Sequence, residues 1–198
     1  MIFLIRHGQT EFNRDGRLQG RLDSPLTELG VEQARRMGRV LKDVVDDAMA
    51  WQVISSPLGR ARRTAEIVRD ELGLDGAIEV DERLVEVGVG VWEGLMREEI
   101  ERLAPGRVGV PGWLFTASPG GETYEDVATR LGSWLAGLDE HDGRRRLVVC
   151  HGVAGRVLRG LYLGLAQDEV LALPAPPQDA VFRLFKGTVG RIDEGSDL

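Results

Sequence analysis

The chain has 198 residues, 42% hydrophobic and 29% charged, an ordinary globular composition with enough length for one domain with a proper core. A formal net charge of −7 and a pI near 5.1 argue against general electrostatic attraction to nucleic acid or an anionic membrane. No apolar stretch is long enough to cross a bilayer, and the single cysteine, Cys150, excludes an internal disulfide framework and a cysteine-built zinc site.

Met1 leads straight into an apolar run, Ile2 to Ile5, with no cationic n-region or cleavage site. A cytoplasmic location is the default expectation, and the run reads as a short buried strand. It stops at Arg6-His7-Gly8, an awkward end for a strand, because two cationic side chains this close call for an anion. Leu26 to Leu41 carries a helical apolar stripe, with Thr27 as its N-cap. Trp51 to Ile54 reads as a second strand ending in Ser55-Ser56-Pro57. Leu58 to Leu72 reads as a helix stopped by Gly73.

Ile78 to Val80 is a weak third strand, and Met96 to Leu103 and Thr123 to Leu138 are helical in pattern. Between those helices lies a Gly- and Pro-rich loop, Pro105 to Gly121, which borders either a pocket or open solvent. Arg146 to Cys150 is a strand followed by His151-Gly152, and Val153 to Leu163 a helix. Pro174 to Pro177 makes a turn into a closing hairpin, Ala180 to Ile192, around Gly187. That hairpin offers an edge for a homodimer. Residues 1–198 show no internal repeat or linker and read as a single domain. Alternating strands and helices predict an α/β fold, a three-layer α/β/α sandwich with a mostly parallel central sheet. In such sheets ligands bind beyond the carboxyl ends of the strands. Arg6-His7-Gly8, Ser55-Ser56-Pro57 and His151-Gly152 should therefore gather at one edge.

Of three histidines, His7 and His151 share a context: each ends an apolar strand and precedes glycine, in FLIRHG and LVVCHG. His141 lies among Asp139, Glu140 and Asp142 and reads as a solvated turn residue. Arg60 falls near a helix N-terminus just after the Ser-Ser-Pro turn, where unpaired amides already favour an anion and a guanidinium adds forked donors. Cys150 precedes His151, but strand alternation aims the two side chains apart, so Cys150 belongs to the core. No metal-ligand spacing stands out. Trp92 and Trp113 either wall a pocket or pack.

Six stretches carry a resemblance: LIRHGQTEFN (4–13), RLQGRLDSPLTELGVEQA (17–34), SSPLGRARRTA (55–65), LVEVGVGVWEG (84–94), PGGETYEDVATR (119–130) and VVCHGVAGRVL (148–158). In that order they resemble the histidine phosphatase superfamily, the phosphoglycerate mutase-like proteins, over most of the chain. The resemblance implies that His7 is a nucleophile forming a phosphohistidine, and that Arg6, Arg60 and His151 surround the transferring phosphoryl group. It implies Glu86 as the proton donor, later the base that activates water. Glu93 is the rival carboxylate and is given a structural role.

Asn13 and the Gly152 amide would add donors, and Gln19 and Gly20 match a substrate-contacting stretch. The implied activity is that of a histidine acid-type phosphatase, a phosphoric monoester hydrolase. Its partner would be a small-molecule phosphomonoester, with no cofactor and no metal. Phosphoglycerate mutases resembling this chain carry a longer insertion with an adjacent arginine pair. Here Arg97, Arg102 and Arg107 stand singly, which favours the phosphatase. The alternatives are a cofactor-dependent mutase, with Arg17 and Arg21 meeting an acidic substrate, and a catalytically silent phospho-ligand-binding protein. Specificity is expected from loop 105–121, through Trp113 and Phe115.

Overall fold

A computed structural model describes residues 1–42, 44–45, 50–116, 118–139 and 143–192. Six strands form one sheet: β1 (Ile2–Arg6), β2 (Trp51–Ser55), β3 (Ile78–Val80), β4 (Arg145–Cys150), β5 (Val181–Phe185) and β6 (Thr188–Ile192), in the order β3-β2-β4-β1-β5-β6. The first four strands are mutually parallel, and β5 and β6 add antiparallel pairings at one side. The expected α/β/α sandwich with a mostly parallel sheet is what the chain forms.

The alternation of the central strands explains the three layers. Ile2, Leu4, Val148 and Cys150 enter one core, and Phe3, Ile5, Leu147 and Val149 the other, so each strand is apolar on both faces. The second core is roofed by α2 (Glu28–Lys42) and α3 (Gly59–Leu72), which supply Ala34, Met37, Leu41, Ala61, Ala65 and Val68. The first core is covered by α4 (Arg97–Leu103), α6 (Tyr124–Ala136), α7 (Gly152–Tyr162) and α8 (Gln167–Ala172). Fully burying one such aliphatic side chain stabilises the fold by about 1.5–3 kcal/mol.

The helix ends follow the sequence signals. Thr27 Oγ1 accepts the Gly30 amide at the start of α2, and Thr123 Oγ1 accepts the Asp126 amide at the start of α6. Gly73 closes α3 in a left-handed conformation, φ 66°. Lys186 and Gly187, φ 48° and 72°, form the two-residue turn of the β5–β6 hairpin.

Three elements depart from the expected pattern. Thr10 caps a single turn, α1 (Glu11–Arg14), and α8 is also short; neither shows enough apolar periodicity to be read from sequence. The loop 105–121 contains a further short helix, α5 (Trp113–Thr116). Pro174 to Pro177 is irregular chain, not a turn: the carbonyls of Pro174 and Pro176 accept from Arg159 and Arg6, and the turn comes at residues 178–179. His141 lies outside the described residues. Among the described residues no helix is long and apolar enough to cross a membrane.

Candidate active site

Register brings the two His-Gly pairs together. β1 and β4 are adjacent and parallel, with Arg6 opposite Cys150, so His7 and His151 leave the sheet side by side. The His7 amide donates to the Cys150 carbonyl (3.0 Å), and the Ser56 amide to the Val149 carbonyl (3.0 Å), which joins the end of β2 to the same edge. The imidazole centroids lie 5.1 Å apart at 61°.

His7 is 2% exposed, and both ring nitrogens are engaged. Nδ1 lies 2.8 Å from the Gly8 carbonyl, and Nε2 is 3.2 Å from Arg60 Nε. A carbonyl can only accept and a guanidinium can only donate, so Nδ1 carries the proton and Nε2 the lone pair. Burial first, then Arg60 and Arg6, hold this imidazole well below its usual pKa. Gly8 is required by packing: a Cβ there would sit 2.2 Å from the Gly30 carbonyl oxygen of α2. What this glycine permits is the close approach of a helix.

Arg60 is buried in the first turn of α3. It donates through Nη1 to the Leu22 carbonyl (2.7 Å) and Asp23 Oδ1 (3.1 Å), and through Nη2 to the Gly20 carbonyl (2.9 Å). These anchors fix its plane against His7. Arg6 donates through Nη1 to the Pro176 carbonyl (2.9 Å), while its Nε is buried without a partner. Gly152 makes room for it: a Cβ there would lie 3.2 Å from Arg6 Cζ. Burial is the largest influence on both guanidiniums and lowers their pKa, yet arginine keeps its proton in this range.

His151 is fully buried at the N-cap position of α7, with Nε2 2.6 Å from Ser56 Oγ. Its pKa too lies well below the usual value, through burial, then Arg60, His7 and Arg6. Cys150 faces the core, where burial pushes its thiol up to about 12. This agrees with the packing role read from strand alternation.

Glu86 reaches the site from the stretch after a single 3-10 turn, Glu82–Leu84. Its carboxylate accepts the amides of Val153 (3.1 Å), Ala154 (2.9 Å) and Val87 (2.9 Å), so the N-terminus of α7 holds it beside His151. Arg130 secures this segment from behind. It donates to the carbonyls of Arg83 and Val85 (2.7 Å each) and pairs with Glu122 (3.0 Å), whose Oε2 accepts the Gly88 amide. Burial alone would raise the Glu122 carboxyl, but Arg130, the Gly88 amide and Arg21 together lower it. Glu93 accepts the Arg21 amide (2.9 Å), consistent with a structural role.

Asn13 Oδ1 accepts from the Thr10 amide and from Gln178 Nε2 (2.6 Å), which leaves its amide NH2 as the group to offer a ligand. Gln19 Oε1 likewise accepts from Ser24 Oγ (3.2 Å). Arg6, His7, Asn13, Gln19, Gly20, Arg60 and Glu86 line one cavity of about 240 Å³. A larger hollow, about 850 Å³, opens at the opposite, amino-terminal edge of the sheet between Met1, Leu135, Leu161 and Lys186. Asp139, Arg146, Tyr162 and Lys186 line it but, among the described residues, no histidine does, so the smaller cavity, which gathers His7, Glu86, Arg6 and Arg60, is the candidate site.

Three residues escaped the sequence reading of the site, Arg130, Glu122 and Leu114, and Ser56, placed at this edge by the sequence, was given no role there. Each does its work through a tertiary contact that spacing does not reveal. Leu114 lines the cavity, whereas Trp113 packs on the buried Trp92 (5.7 Å) and Phe115 on Tyr124 (5.6 Å). Of the expected loop residues, neither Trp113 nor Phe115 lines this cavity: the one-turn helix α5 buries Phe115 in the core and lays Trp113 half-buried against it, which leaves Leu114 on the cavity wall.

With this geometry in view, the comparisons are specific. The model of the histidine phosphatase superfamily (branch 1) matches residues 2–185, and the chain belongs to that family. The protein of Salmonella paratyphi C named "Probable phosphoglycerate mutase GpmB" is 35% identical over 97% of this chain and 84% of its own length. Among solved structures, YhfR of Bacillus stearothermophilus superposes with a TM-score of 0.80 at 33% identity, covering 100% of this chain and 97% of that one. A mycobacterial glucosyl-3-phosphoglycerate phosphatase gives 0.77 at 33% identity, covering 91% and 88%. The comparisons support the superfamily; they lend no support to the narrower acid-type label.

Proposed function

We propose that this protein hydrolyses a small phosphomonoester through a phosphohistidine. His7 Nε2 attacks phosphorus, and the bond to the leaving oxygen breaks with its electron pair going to that oxygen. Glu86 supplies the proton. Water then attacks phosphorus with Glu86 as base, His7 Nε2 recovers its electron pair, and inorganic phosphate leaves. Arg6, Arg60, His151, the Asn13 amide and the Gly152 N–H stabilise charge on the equatorial oxygens; each such donor is worth about 3 kcal/mol of barrier.

The observation that carries this reading is the partnering of His7: a carbonyl on Nδ1 and a guanidinium on Nε2 prepare one nitrogen for attack, in a cavity that also holds Glu86. The guanidiniums supply the positive charge that phosphoryl transfer needs, so turnover is expected without added metal. Hydrolysis of p-nitrophenyl phosphate in the presence of EDTA, lost in His7→Ala, supports the reading. Inertness across a phosphoester library points instead to a phospho-ligand-binding protein.

A mutase is the second reading, favoured by the name of the Salmonella relative. It predicts that 2- and 3-phosphoglycerate interconvert faster than phosphate is released. Arg97 lines the cavity with no arginine next to it in sequence, which supports the phosphatase, while Arg17 on the same wall is the residue that would meet a mutase's acidic substrate.

A further inference from the structure

Three of the four ring nitrogens of His7 and His151 have protein partners: the Gly8 carbonyl, Arg60 Nε and Ser56 Oγ. The fourth, His151 Nδ1, is buried with none among the described residues. Which way that nitrogen is protonated depends on Ser56. The serine amide is fixed to β4 through the Val149 carbonyl, and its side chain is fully buried. Its oxygen receives the Leu58 amide across a long 3.4 Å, and His151 Nε2, at 2.6 Å, is the acceptor within reach of its proton. Ser55 does not substitute, because its own hydroxyl donates to the Ser56 carbonyl (2.9 Å).

We infer that Ser56 is a positioning residue for His151: its hydroxyl donates to Nε2, holds the ring as the Nδ1–H tautomer, and so directs a fixed N–H donor to the transferring phosphoryl group. The inference rests on the phosphoryl-transfer reading of the cavity that His7 lines, behind which the His151 ring packs 5.1 Å from that of His7. A cationic imidazole would donate from both nitrogens whatever its neighbours. A neutral one donates from a single nitrogen, and the partner of the other decides which. Burial first, then Arg60, His7 and Arg6, favour the neutral ring, so here the partner matters. The opposite tautomer would present a lone pair at Nδ1, which repels a phosphoryl oxygen.

Long-range proton–nitrogen NMR on the ligand-free protein tests the tautomer directly, at mildly alkaline pH, with His151 assigned by comparison with both His141→Asn and His7→Gln. The expected spectrum shows protonated Nδ1 and bare Nε2. Ser56→Ala should populate both tautomers and lower kcat roughly tenfold to a hundredfold, with a smaller change in KM, just under the cost of losing a donor outright. Ser56→Thr, which keeps the hydroxyl, should restore both. An Nε2–H ring in the wild type overturns the inference, and that spectrum decides even if Ser56→Ala fails to fold. So does a folded Ser56→Ala with an unchanged tautomer and unchanged kcat. A wild type with the expected tautomer but inert toward every phosphomonoester would defeat the reading of the site, and with it the role of Ser56, while the tautomer assignment stands.

Discussion

Arg60 Nε points at His7 Nε2 across 3.2 Å. Arginine does not release that proton and cannot accept another, so the contact places the lone pair on Nε2 before any substrate arrives. The same guanidinium is pinned by the carbonyls of Gly20 and Leu22, two residues of the 17–34 stretch. One side chain thus sets the tautomer of the candidate nucleophile and, under the proposed function, carries charge for the phosphoryl group.

Arg60→Lys keeps the charge and loses the fork. It should lower kcat/KM about a hundredfold or more, read by steady-state kinetics on an aryl phosphate. Arg60→Ala should also cost about 2 kcal/mol or more in urea denaturation, because buried carbonyls lose their donors.

Glu86→Gln keeps an acceptor for the α7 amides but removes the acid and base. Alkyl phosphates, with poor leaving groups, should slow by about a hundredfold to ten-thousandfold. With p-nitrophenyl phosphate the first step needs little acid assistance, so a burst of nitrophenol followed by slow turnover is expected in rapid mixing. Equal losses on both substrates would argue that Glu86 only positions α7.

Gly30→Ala should destabilise the protein by roughly 3 kcal/mol, since its Cβ would stand 2.0 Å from the Gln9 carbonyl oxygen. The strain falls next to Gly8, the acceptor for His7 Nδ1. Activity should drop with the thermal midpoint, as checked by calorimetry and kinetics on the same samples.

Much of this arrangement was legible in the sequence because two strong periodicities and their end signals coincide with the chemistry. FLIRHG and LVVCHG mark strands buried on both faces, and the parallel sheet rule then brings their histidines to one edge. What stayed hidden rests on contacts between distant segments. Nothing local tells that Ser56 meets His151, 95 residues on, or that Arg130 props the backbone of Arg83 and Val85. The direction of the α5 side chains depends on one helical turn that its Gly- and Pro-rich surroundings conceal. Glu86 itself was read through family resemblance; its position against the first turn of α7 is a tertiary fact.

Stability should fall on acidification from about pH 6.5. Burial above all holds both site histidines well below the usual imidazole value in the folded state, so the unfolded chain binds more protons as pH drops through that value. Unfolding then takes up protons, and stability present above pH 6.5 is lost below it. Glu122, held below the usual carboxylate range, acts in the same direction at lower pH. Urea midpoints over a pH series should show this slope, and His7→Gln should flatten it. A flat profile through the histidine window would contradict the buried, neutral pair.

The most direct test is to trap the covalent intermediate: mix enzyme with a phosphomonoester, quench in base, and locate the phosphoryl group by mass spectrometry. Phosphate on a ring nitrogen of His7, absent in His7→Ala and accumulating in Glu86→Gln, is the predicted result. Turnover by the wild type with no phosphohistidine at any time point, or with the label on another residue, would contradict it.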